Sequence, residues 1–358
     1  MHRFFRFVPI FALLVAFALP VAAQEAIDSV CLVSNGKIND GTFNQFTYEG
    51  MQRAAEDFDL ETTYIESQAA TDYQANIDTC ISEGFDFIIT VGWQMADVTY
   101  TSAEANPNIE FVGVDAFYAD PLPNLVGIQA REDQAGFIVG AMAALMTESG
   151  TVGGIYGPPE PPILRFRNGF EQGVAYINPD VNVVGVHIDD YYAPDRGAAA
   201  AEQLIGEDVD VIFGAAGETG SGGIKRAAEL GTLVIGVDQD EYNTTFGSGE
   251  TPGAENLISS ALKRVDNGTY QMIEAAVNGE PFPEDSTFTL SVENEGIDFA
   301  PPHDSDVPEE VTEQVRAVLE GLKDDSIETN VDPVSGNLIG EEDATLEPMA
   351  TAEATEAS

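Results

Sequence analysis

The fold is decided by the stretch DSVCLVSNGKINDGTFNQFTYEGMQRAAEDF at residues 28–58. Its first part, SVCLVS, is an apolar run typical of a buried strand, and its last part repeats apolar residues at helical spacing. The loop between them, NGKINDGTFNQ at 35–45, places an aromatic ring among amides, glycines and a carboxylate. A short turn needs only a glycine or two and a helix cap. The additional polar groups around Phe43 therefore predict contact with a ligand.

The alternation of strand and helix continues along the chain and predicts an α/β fold with two doubly wound lobes. In the first lobe the helices are expected near 42–57, 71–84 and 94–105. After the helical segment DQAGFIVGAMAALMTES the pattern starts again with TVGGIYG at 151–157. Open sheets bind ligands beyond the carboxyl ends of their strands. Two facing sheets therefore predict a cleft between the lobes.

The later part of the chain is predicted to cross between the lobes. We predict one helix over 255–279, a strand near STFTLSV and a helix at PEEVTEQVRAVLEGL. The crossings are expected near 129–131, 239–242 and 282–286. The resulting boundaries are 24–130 plus 240–284 for the N-terminal lobe and 131–239 plus 285–325 for the C-terminal lobe.

Both ends of the chain are predicted to lie outside the lobes. Residues 1–23 combine basic residues, an apolar stretch short for a membrane span and small residues before Gln24, which predicts a cleaved secretory signal. A retained membrane anchor is the alternative. Residues 326–358 are predicted to be a disordered acidic tail, because their Ala/Thr/Glu-rich end has no aromatic residue to bury. We therefore expect an exported protein, periplasmic or associated with the cell surface.

The formal net charge of −48 argues against several partners. Such an anionic surface repels nucleic acid and anionic membranes, so we expect neither as a direct partner.

Cys31 and Cys80 are the only cysteines and lack metal-binding spacing. In a doubly wound sheet the second crossover helix passes over the first strand, and export permits oxidation. A disulfide and two separate buried thiols both remain open.

The sequence lacks the motifs of common hydrolases, metalloenzymes and nucleotide-binding enzymes. It has three histidines and no GxSxG, HExxH, Walker or CxxC motif, so we predict a protein that is not an enzyme and uses no cofactor or metal. His187 lies in an apolar strand and is expected to be a packed or edge residue rather than a base. The run GAAGETGSGG at 214–223 either cradles a phosphate or lets backbone approach a neutral ligand. The missing consensus residues favour the neutral ligand.

Five motifs in order carry a resemblance to a known family: NDGTFNQ, GPPEPPILRFRNGFEQG, GAAGETGSGG, VIGVDQDEYN and ISSALKRVD. The chain resembles the basic membrane protein family, the purine-nucleoside-receptor-like substrate-binding proteins of bacterial ABC importers. The resemblance covers residues 30–279 and extends more loosely to 322. It implies a type I periplasmic-binding-protein fold, with two lobes joined by three crossings, and a nucleoside ligand.

The resemblance also implies a set of ligand-binding residues. They are Asn35, Phe43, Asn44, Asp115, Tyr191, Gly214, Asp238 and Lys263. Two of them depart from the family pattern, because Asn35 stands where an aspartate is typical and Tyr191 where a phenylalanine is typical. Lys263 is expected on a helix of the N-terminal lobe.

Physical chemistry agrees with several of these assignments. Stacking a base on an aromatic ring such as Phe43 contributes on the order of 1 to 3 kcal/mol. Carboxylates accept hydrogen bonds from vicinal ribose hydroxyls, which suits Asp115 and Asp238. The alternatives are a core position for Phe43 and helix caps for the two aspartates. Trp93 and Met95 are near the expected site, although core packing is the expected role of both.

We therefore expect a solute-binding protein that captures a nucleoside, with a purine as the expected base, and delivers it to an ABC transporter permease. The permease would be its link to the membrane. Other flat or polyol ligands, such as a flavin, a modified base or a sugar, remain alternatives. A nucleoside-cleaving enzyme would need an acid or base placed against the glycosidic bond. A surface interaction protein would bind no small molecule.

Overall fold

The computed structural model of the protein describes residues 27–340. The predicted signal at 1–23 and the end of the predicted tail, 341–358, lie outside the described residues. Two six-stranded sheets form the centres of two lobes. This confirms the predicted α/β class with two doubly wound lobes.

The first lobe begins with five parallel strands and three helices. These elements are β1 (Ser29–Ser34), α1 (Phe43–Phe58), β2 (Glu61–Glu66), α2 (Tyr73–Glu83), β3 (Phe87–Val91), α3 (Ala96–Ala105), β4 (Glu110–Val114) and β5 (Leu125–Ala130). Every residue of β3, β4 and β5 is buried, as expected for the central strands of a parallel sheet covered on both faces. The core of this lobe therefore lies on the two faces of these strands.

The second lobe repeats the arrangement. Its elements are α4 (Glu132–Met146), β6 (Thr151–Tyr156), α5 (Pro161–Ile177), β7 (Asn182–His187), α6 (Pro194–Gly206), β8 (Val211–Ala215), α7 (Gly217–Glu229), β9 (Leu233–Asp238) and β10 (Leu257–Lys263). The last regular elements of the described chain are α8 (Val265–Val277), β11 (Thr287–Leu290), β12 (Ile297–Phe299) and α9 (Glu309–Lys323). The two sheets have the orders β11-β5-β4-β3-β1-β2 and β12-β10-β9-β8-β6-β7.

The predicted single helix over 255–279 is wrong in its first half. Leu257–Lys263 is strand β10, which pairs in parallel with β9 and antiparallel with β12. Its serines tolerate this buried position because they find partners, as when Ser259 Oγ donates to Ala300 O at 2.9 Å. The helix begins only at Val265. Lys263 therefore lies at the end of a strand of the second lobe rather than on a helix.

This strand also corrects the predicted lobe boundaries. The chain crosses from the first lobe to the second at Arg131, within the predicted segment. It stays in the second lobe through β10, so the crossing expected at 239–242 is wrong, and it returns at Arg264. The crossing expected at 282–286 is wrong as well, because β11 pairs with β5 in the first sheet. The third crossing lies between β11 and β12.

Helices α4 and α5 pack with their backbones in near contact. A Cβ atom on Gly136 would lie 2.3 Å from Phe166 O, and one on Gly169 would lie 2.2 Å from Asp133 O. Glycine permits this approach because it has no Cβ. The packing buries Glu132 of α4 and Arg165 of α5. Their charges must therefore find partners inside the protein.

Part of the predicted disordered tail is ordered, so that prediction is wrong for 326–340. Asn168 Nδ2 of α5 donates to Gly336 O at 2.6 Å, and Arg165 Nη1 donates to Val334 O at 2.8 Å. Gln129 Nε2 of β5 donates to Pro333 O at 2.9 Å. This segment is held through its backbone carbonyls, which composition alone does not reveal.

The two cysteines form a disulfide, which decides between the alternatives left open by the sequence. Cys31 of β1 is bonded to Cys80 of α2. Both are fully buried.

In residues 27–340 no helix has the length and apolar character that a membrane span requires.

Candidate functional site

A cavity lies between the lobes, at the carboxyl ends of the strands. The first lobe contributes Asn35, Asp40, Phe43, Asn44, Gly92, Trp93, Gln94 and Asp115. The second lobe contributes Glu160, Pro162, Ile163, Phe166, Tyr191, Tyr192, Ala215, Ala216, Gly217, Val237, Asp238 and Lys263. The lining combines aromatic rings from both lobes with several carboxylates.

All the predicted ligand-binding residues except Gly214 line this cavity. Gly214 lies within β8, where a Cβ atom would come within 2.7 Å of Ile224 Cγ2. Its lack of a side chain therefore serves the packing of α7 against the sheet. The residues that follow it, Ala215, Ala216 and Gly217, bring backbone to the cavity instead.

Asp40 shapes the loop that carries Phe43 and Asn44. Its Oδ1 accepts hydrogen bonds from the backbone N–H groups of Thr42 at 3.0 Å and Gln45 at 3.1 Å, and its Oδ2 accepts one from Asn44 N at 2.9 Å. Burial raises its pKa to about 6, although these three N–H groups oppose the shift. Asp40 thus satisfies the free donors at the start of α1 and fixes where the loop side chains point.

Lys263 is the centre of a buried ion cluster beside the cavity. Its Nζ lies 2.6 Å from Asp115 Oδ1 and 2.7 Å from Glu132 Oε1, and Arg165 pairs with the other oxygen of Glu132. Burial alone would lower the pKa of Lys263, but the charges of Asp115 and Glu132 outweigh it and raise that pKa above its ordinary value. The ammonium also lies 4.9 Å from the centre of the Phe43 ring.

Asp115 and Asp238 occupy equivalent positions in the two lobes, directly after β4 and at the end of β9. Both have left-handed backbones, with φ of 64° and 65°, a strained conformation that is enriched at functional sites. Neither is a helix cap, because β5 is the next regular element after Asp115 and no helix begins directly after Asp238. Burial raises the pKa of Asp238 to about 8, and Lys263 partly opposes this shift.

Tyr191 enters the cavity from the second lobe and is held by Glu160. Its hydroxyl donates to Glu160 Oε2 at 3.0 Å. A Cβ atom on Gly157 would come within 2.4 Å of Tyr191 Cε1, so the ring requires a glycine beneath it. Burial raises the pKa of Glu160, while the hydrogen bonds from Tyr191 and Gln94 lower it.

Several cavity residues were missed from the sequence. Tyr192, Gln94 and Glu160 were not predicted, although the adjacent tyrosines after β7 and the acidic residue within PPEPP were visible. Trp93 lines the cavity, contrary to the core role expected for it, whereas Met95 is fully buried as expected. His187 is partly buried on β7, the edge strand of the second sheet, as one of the two predicted alternatives, and its Nδ1 lies 2.8 Å from Gly157 O.

The lobes also touch each other across the mouth of the cleft. Gln239 Nε2 of the second lobe donates to Gly41 O of the first at 2.8 Å. Lys37 Nζ lies 3.6 Å from Glu218 Oε1. The contacts between Gln239 and Gly41 and between Lys37 and Glu218 hold the cleft closed.

Within residues 27–340 no group of three or more His, Cys, Asp or Glu side chains is arranged to hold a metal ion.

Comparison with known proteins identifies the family. The family model of PnrA-like ABC transporter substrate-binding proteins, Bmp, matches residues 27–330. Basic membrane protein A of Borreliella burgdorferi is 31% identical over 243 residues, which cover 67% of this chain and 69% of that protein. The ABC transporter nucleoside-binding protein BmpA of Lactococcus lactis is 27% identical over 279 residues, covering 74% of this chain and 79% of its own.

A solved structure supports the fold independently. An ABC transporter solute-binding protein from Aeropyrum pernix superimposes with a TM-score of 0.74 and 21% identity, over 84% of this chain and 92% of that chain. With its three crossings, the architecture is the type I periplasmic-binding-protein fold expected from the sequence. The chain belongs to the Bmp family of PnrA-like ABC transporter substrate-binding proteins.

Proposed function

We propose that this protein captures a nucleoside between its lobes and delivers it to the permease of an ABC importer. The observation that carries the proposal is the composition of the cavity. Aromatic rings from both lobes, Phe43 and Tyr191, line it together with the buried carboxylates of Asp115 and Asp238. A nucleoside needs this combination, because its base has flat apolar faces and its ribose has vicinal hydroxyls.

The proposed roles follow from the positions of the groups. Phe43 and Tyr191 stack on or flank the base. Asp115 and Asp238 hydrogen-bond with the ribose hydroxyls. Burial raises the pKa of Asp238 to about 8, so its carboxyl group can donate through its hydroxyl and accept through its carbonyl oxygen. Lys263 opposes the rise that burial causes in the pKa of Asp115. Asn35 and Asn44 lie beside Phe43 and face the edge of the base.

The electrostatics favour a ligand without a phosphate. Lys263 is the one cation among the cavity-lining residues of the described chain, and it is already paired with Asp115 and Glu132. A phosphate would lie beside the acidic side chains with no free cation to receive it. A neutral nucleoside avoids this repulsion. The nucleoside-binding relative from Lactococcus lactis lends the proposal further support.

Binding, rather than cleavage, is the proposed activity. We propose that ligand draws the lobes together and that the permease recognises this closed form, with the protein acting outside the cytoplasmic membrane. An enzyme that cleaves nucleosides would need a free acid or base, and Asp238 and Glu160 are carboxyl groups of the cleft. In this proposal Asp238 binds the ribose, whereas Glu160 accepts hydrogen bonds from Tyr191 and Gln94.

Calorimetric titration with purine and pyrimidine nucleosides, the matching nucleotides, free ribose and riboflavin tests this proposal. We expect heat and saturation with at least one nucleoside, weaker binding of its 5′-phosphate and little binding of ribose. Chromatography of the recovered ligand should return intact nucleoside. Preferred binding of a free sugar or of flavin, or release of free base, would refute the proposal and support one of the alternative ligands or an enzyme.

A further inference from the structure

We infer that Glu160 decides which hydrogen-bonding group the cavity offers to its ligand, through a one-directional chain of hydrogen bonds that ends at Asn44. The inference rests on the proposed function, since it concerns how the same cavity selects among nucleosides. It assigns Glu160 as a positioning residue that acts on the ligand through other side chains.

The chain passes repeatedly between the lobes. Gln94 Nε2 donates to Glu160 Oε2 at 2.8 Å and Oε1 at 3.1 Å. Asn35 Nδ2 donates to Gln94 Oε1 at 3.1 Å. The Tyr192 hydroxyl donates to Asn35 Oδ1 at 3.2 Å, and its oxygen accepts from Asn44 Nδ2 at 3.2 Å. Five side chains from four segments of the sequence are thus joined in series.

Glu160 sets the direction of this series, because its carboxyl oxygens accept hydrogen bonds from Gln94 and Tyr191. Gln94 must therefore present its NH₂ group to Glu160 and its oxygen to Asn35. Asn35 must then present its own NH₂ group to Gln94 and its oxygen to Tyr192. Reversing either amide would bring two acceptor oxygens together. The Tyr191 hydroxyl donates to the same carboxylate at 3.0 Å, which reinforces its role as acceptor.

The series ends at Asn44, a residue that lines the cavity, and leaves one of its atoms as a free acceptor. Because the Asn44 NH₂ group faces Tyr192, the Asn44 Oδ1 atom is left over. This atom is buried and has no hydrogen-bond partner among the described residues, on a residue that lines the cavity and is 1% exposed. A ligand that presents an N–H group there satisfies it, whereas a ligand that presents an acceptor leaves it unpaired in a buried site.

The selection therefore favours a base with a hydrogen-bond donor at the edge that Asn44 faces. If Glu160 could donate, as glutamine can, Gln94 and the amides after it would be free to reverse. Asn44 would then offer either an acceptor or a donor. The affinity for the best nucleoside would fall modestly, and the discrimination against analogues lacking the donor would fall more.

Nucleosides that differ by one donor test the inference. The pairs are guanosine with inosine, adenosine with purine riboside, and inosine with 1-methylinosine. We expect wild-type protein to prefer the donor-bearing member of at least one pair by roughly tenfold or more. In Glu160→Gln that ratio should fall to within about threefold. Glu171→Gln, a change on α5, the helix that follows Glu160, in a partly exposed ion pair, is the matched control and should keep the wild-type ratio.

Exchanging Glu160 and Gln94 distinguishes an effect of hydrogen-bond direction from a general disturbance of the structure. In Glu160→Gln with Gln94→Glu, the carboxylate at 94 still accepts from Asn35 and from the new amide at 160, so the series keeps its direction and the ratio should recover. A ratio unchanged in Glu160→Gln, a wild type without discrimination, or no recovery in the exchanged variant would refute the inference while leaving nucleoside binding intact. If the wild type bound none of these nucleosides, the proposed function itself would fail.

Discussion

Lys263 Nζ lies 2.6 Å from Asp115 Oδ1, and this buried ion pair joins the carboxyl ends of strands from different sheets. Glu132, the first residue of α4 after the crossing at Arg131, holds the same ammonium at 2.7 Å. A single charge therefore connects the cavity to two of the three crossings between the lobes. Both carboxylates are buried, so their charges depend on that cation.

Removing this cation should destabilise the protein strongly. Lys263→Met keeps the length of the side chain but leaves Asp115 and Glu132 facing each other in a buried site, so we expect the free energy of unfolding to fall by about 3 to 5 kcal/mol. Lys323→Met, on the exposed end of α9, is the control and should change it by less than about 0.5 kcal/mol. Urea unfolding followed by circular dichroism measures both, and a small loss for Lys263→Met would contradict the cluster's structural role.

Phe43 should matter for ligand more than for folding. Its side chain is only partly buried and lines the cavity, so Phe43→Ala should leave the melting temperature of the unliganded protein little changed. Nucleoside binding should weaken by at least ~1 kcal/mol, roughly fivefold, because a stacking surface is lost. Phe46→Ala removes a similar ring one turn along α1, outside the cavity, and should bind normally. Normal binding by Phe43→Ala, or loss of its fold, would make Phe43 a core residue.

The disulfide should contribute measurably to stability. It closes a loop of 49 residues between Cys31 and Cys80, for which the chain-entropy model gives about 4 kcal/mol. We expect Cys31→Ala with Cys80→Ala to lose stability by an amount of that order. The oxidised wild type, unfolded in urea, should show no free thiol on titration. Two titratable thiols in protein isolated under oxidising conditions would contradict the assignment.

The general fold could be predicted because its signal is local and repeated. The alternation of apolar strand and helix is present in every unit of both lobes, and it places Cys31 and Cys80 on elements that pack together. Strand β10 escaped prediction because its two serines and the helical pattern that begins directly after Lys263 resemble one continuous helix. Its identity depends on burial between β9 and β12, which is a tertiary effect.

The candidate site was predictable to a lesser degree. Phe43 and Asn44 share one distinctive loop, and Asp115 and Asp238 each end a recognisable strand. Glu160 lies in a separate loop with no periodic signal, and its role depends on which side chains the closed lobes bring to it. Such relationships between distant loops are absent from a single sequence.

The stability of the protein should fall as the pH rises toward 8. Burial holds the pKa of Asp238 at about 8, above its ordinary value of 3.8, so the native state keeps a proton that the unfolded state releases. Between about pH 4 and pH 8 this residue should therefore lower the free energy of unfolding by up to about 1.4 kcal/mol per pH unit. Asp238→Asn should remove that part of the slope, whereas the exposed Asp180→Asn should keep it. Urea unfolding at pH 5, 6 and 7 measures how the free energy of unfolding depends on pH. If this dependence were the same in wild type and in Asp238→Asn, the assignment would be contradicted.

Ligand should bring the lobes together by rotation about the crossings at Arg131 and Arg264. The two crossings have similar local structures. Each arginine has nearly the same backbone conformation, with φ/ψ of −86°/63° and −78°/56°. Each also donates two hydrogen bonds to the aspartate two residues later. Rotation there leaves the packed lobes unchanged. We therefore expect a smaller radius of gyration, measured by solution X-ray scattering, at saturating nucleoside.

The contact of Gln239 with Gly41 tests the same motion from the mouth of the cleft. This hydrogen bond exists only when the lobes meet, so Gln239→Ala should destabilise the closed form by about 1 kcal/mol and weaken nucleoside binding up to about fivefold. The radius of gyration at saturation should still reach the wild-type value, because ligand restores closure at high concentration. Gln203→Ala, on the exposed face of α6, should bind as the wild type does. An identical radius of gyration with and without nucleoside would show that the lobes do not move on binding, and the hinge assignment would then be wrong.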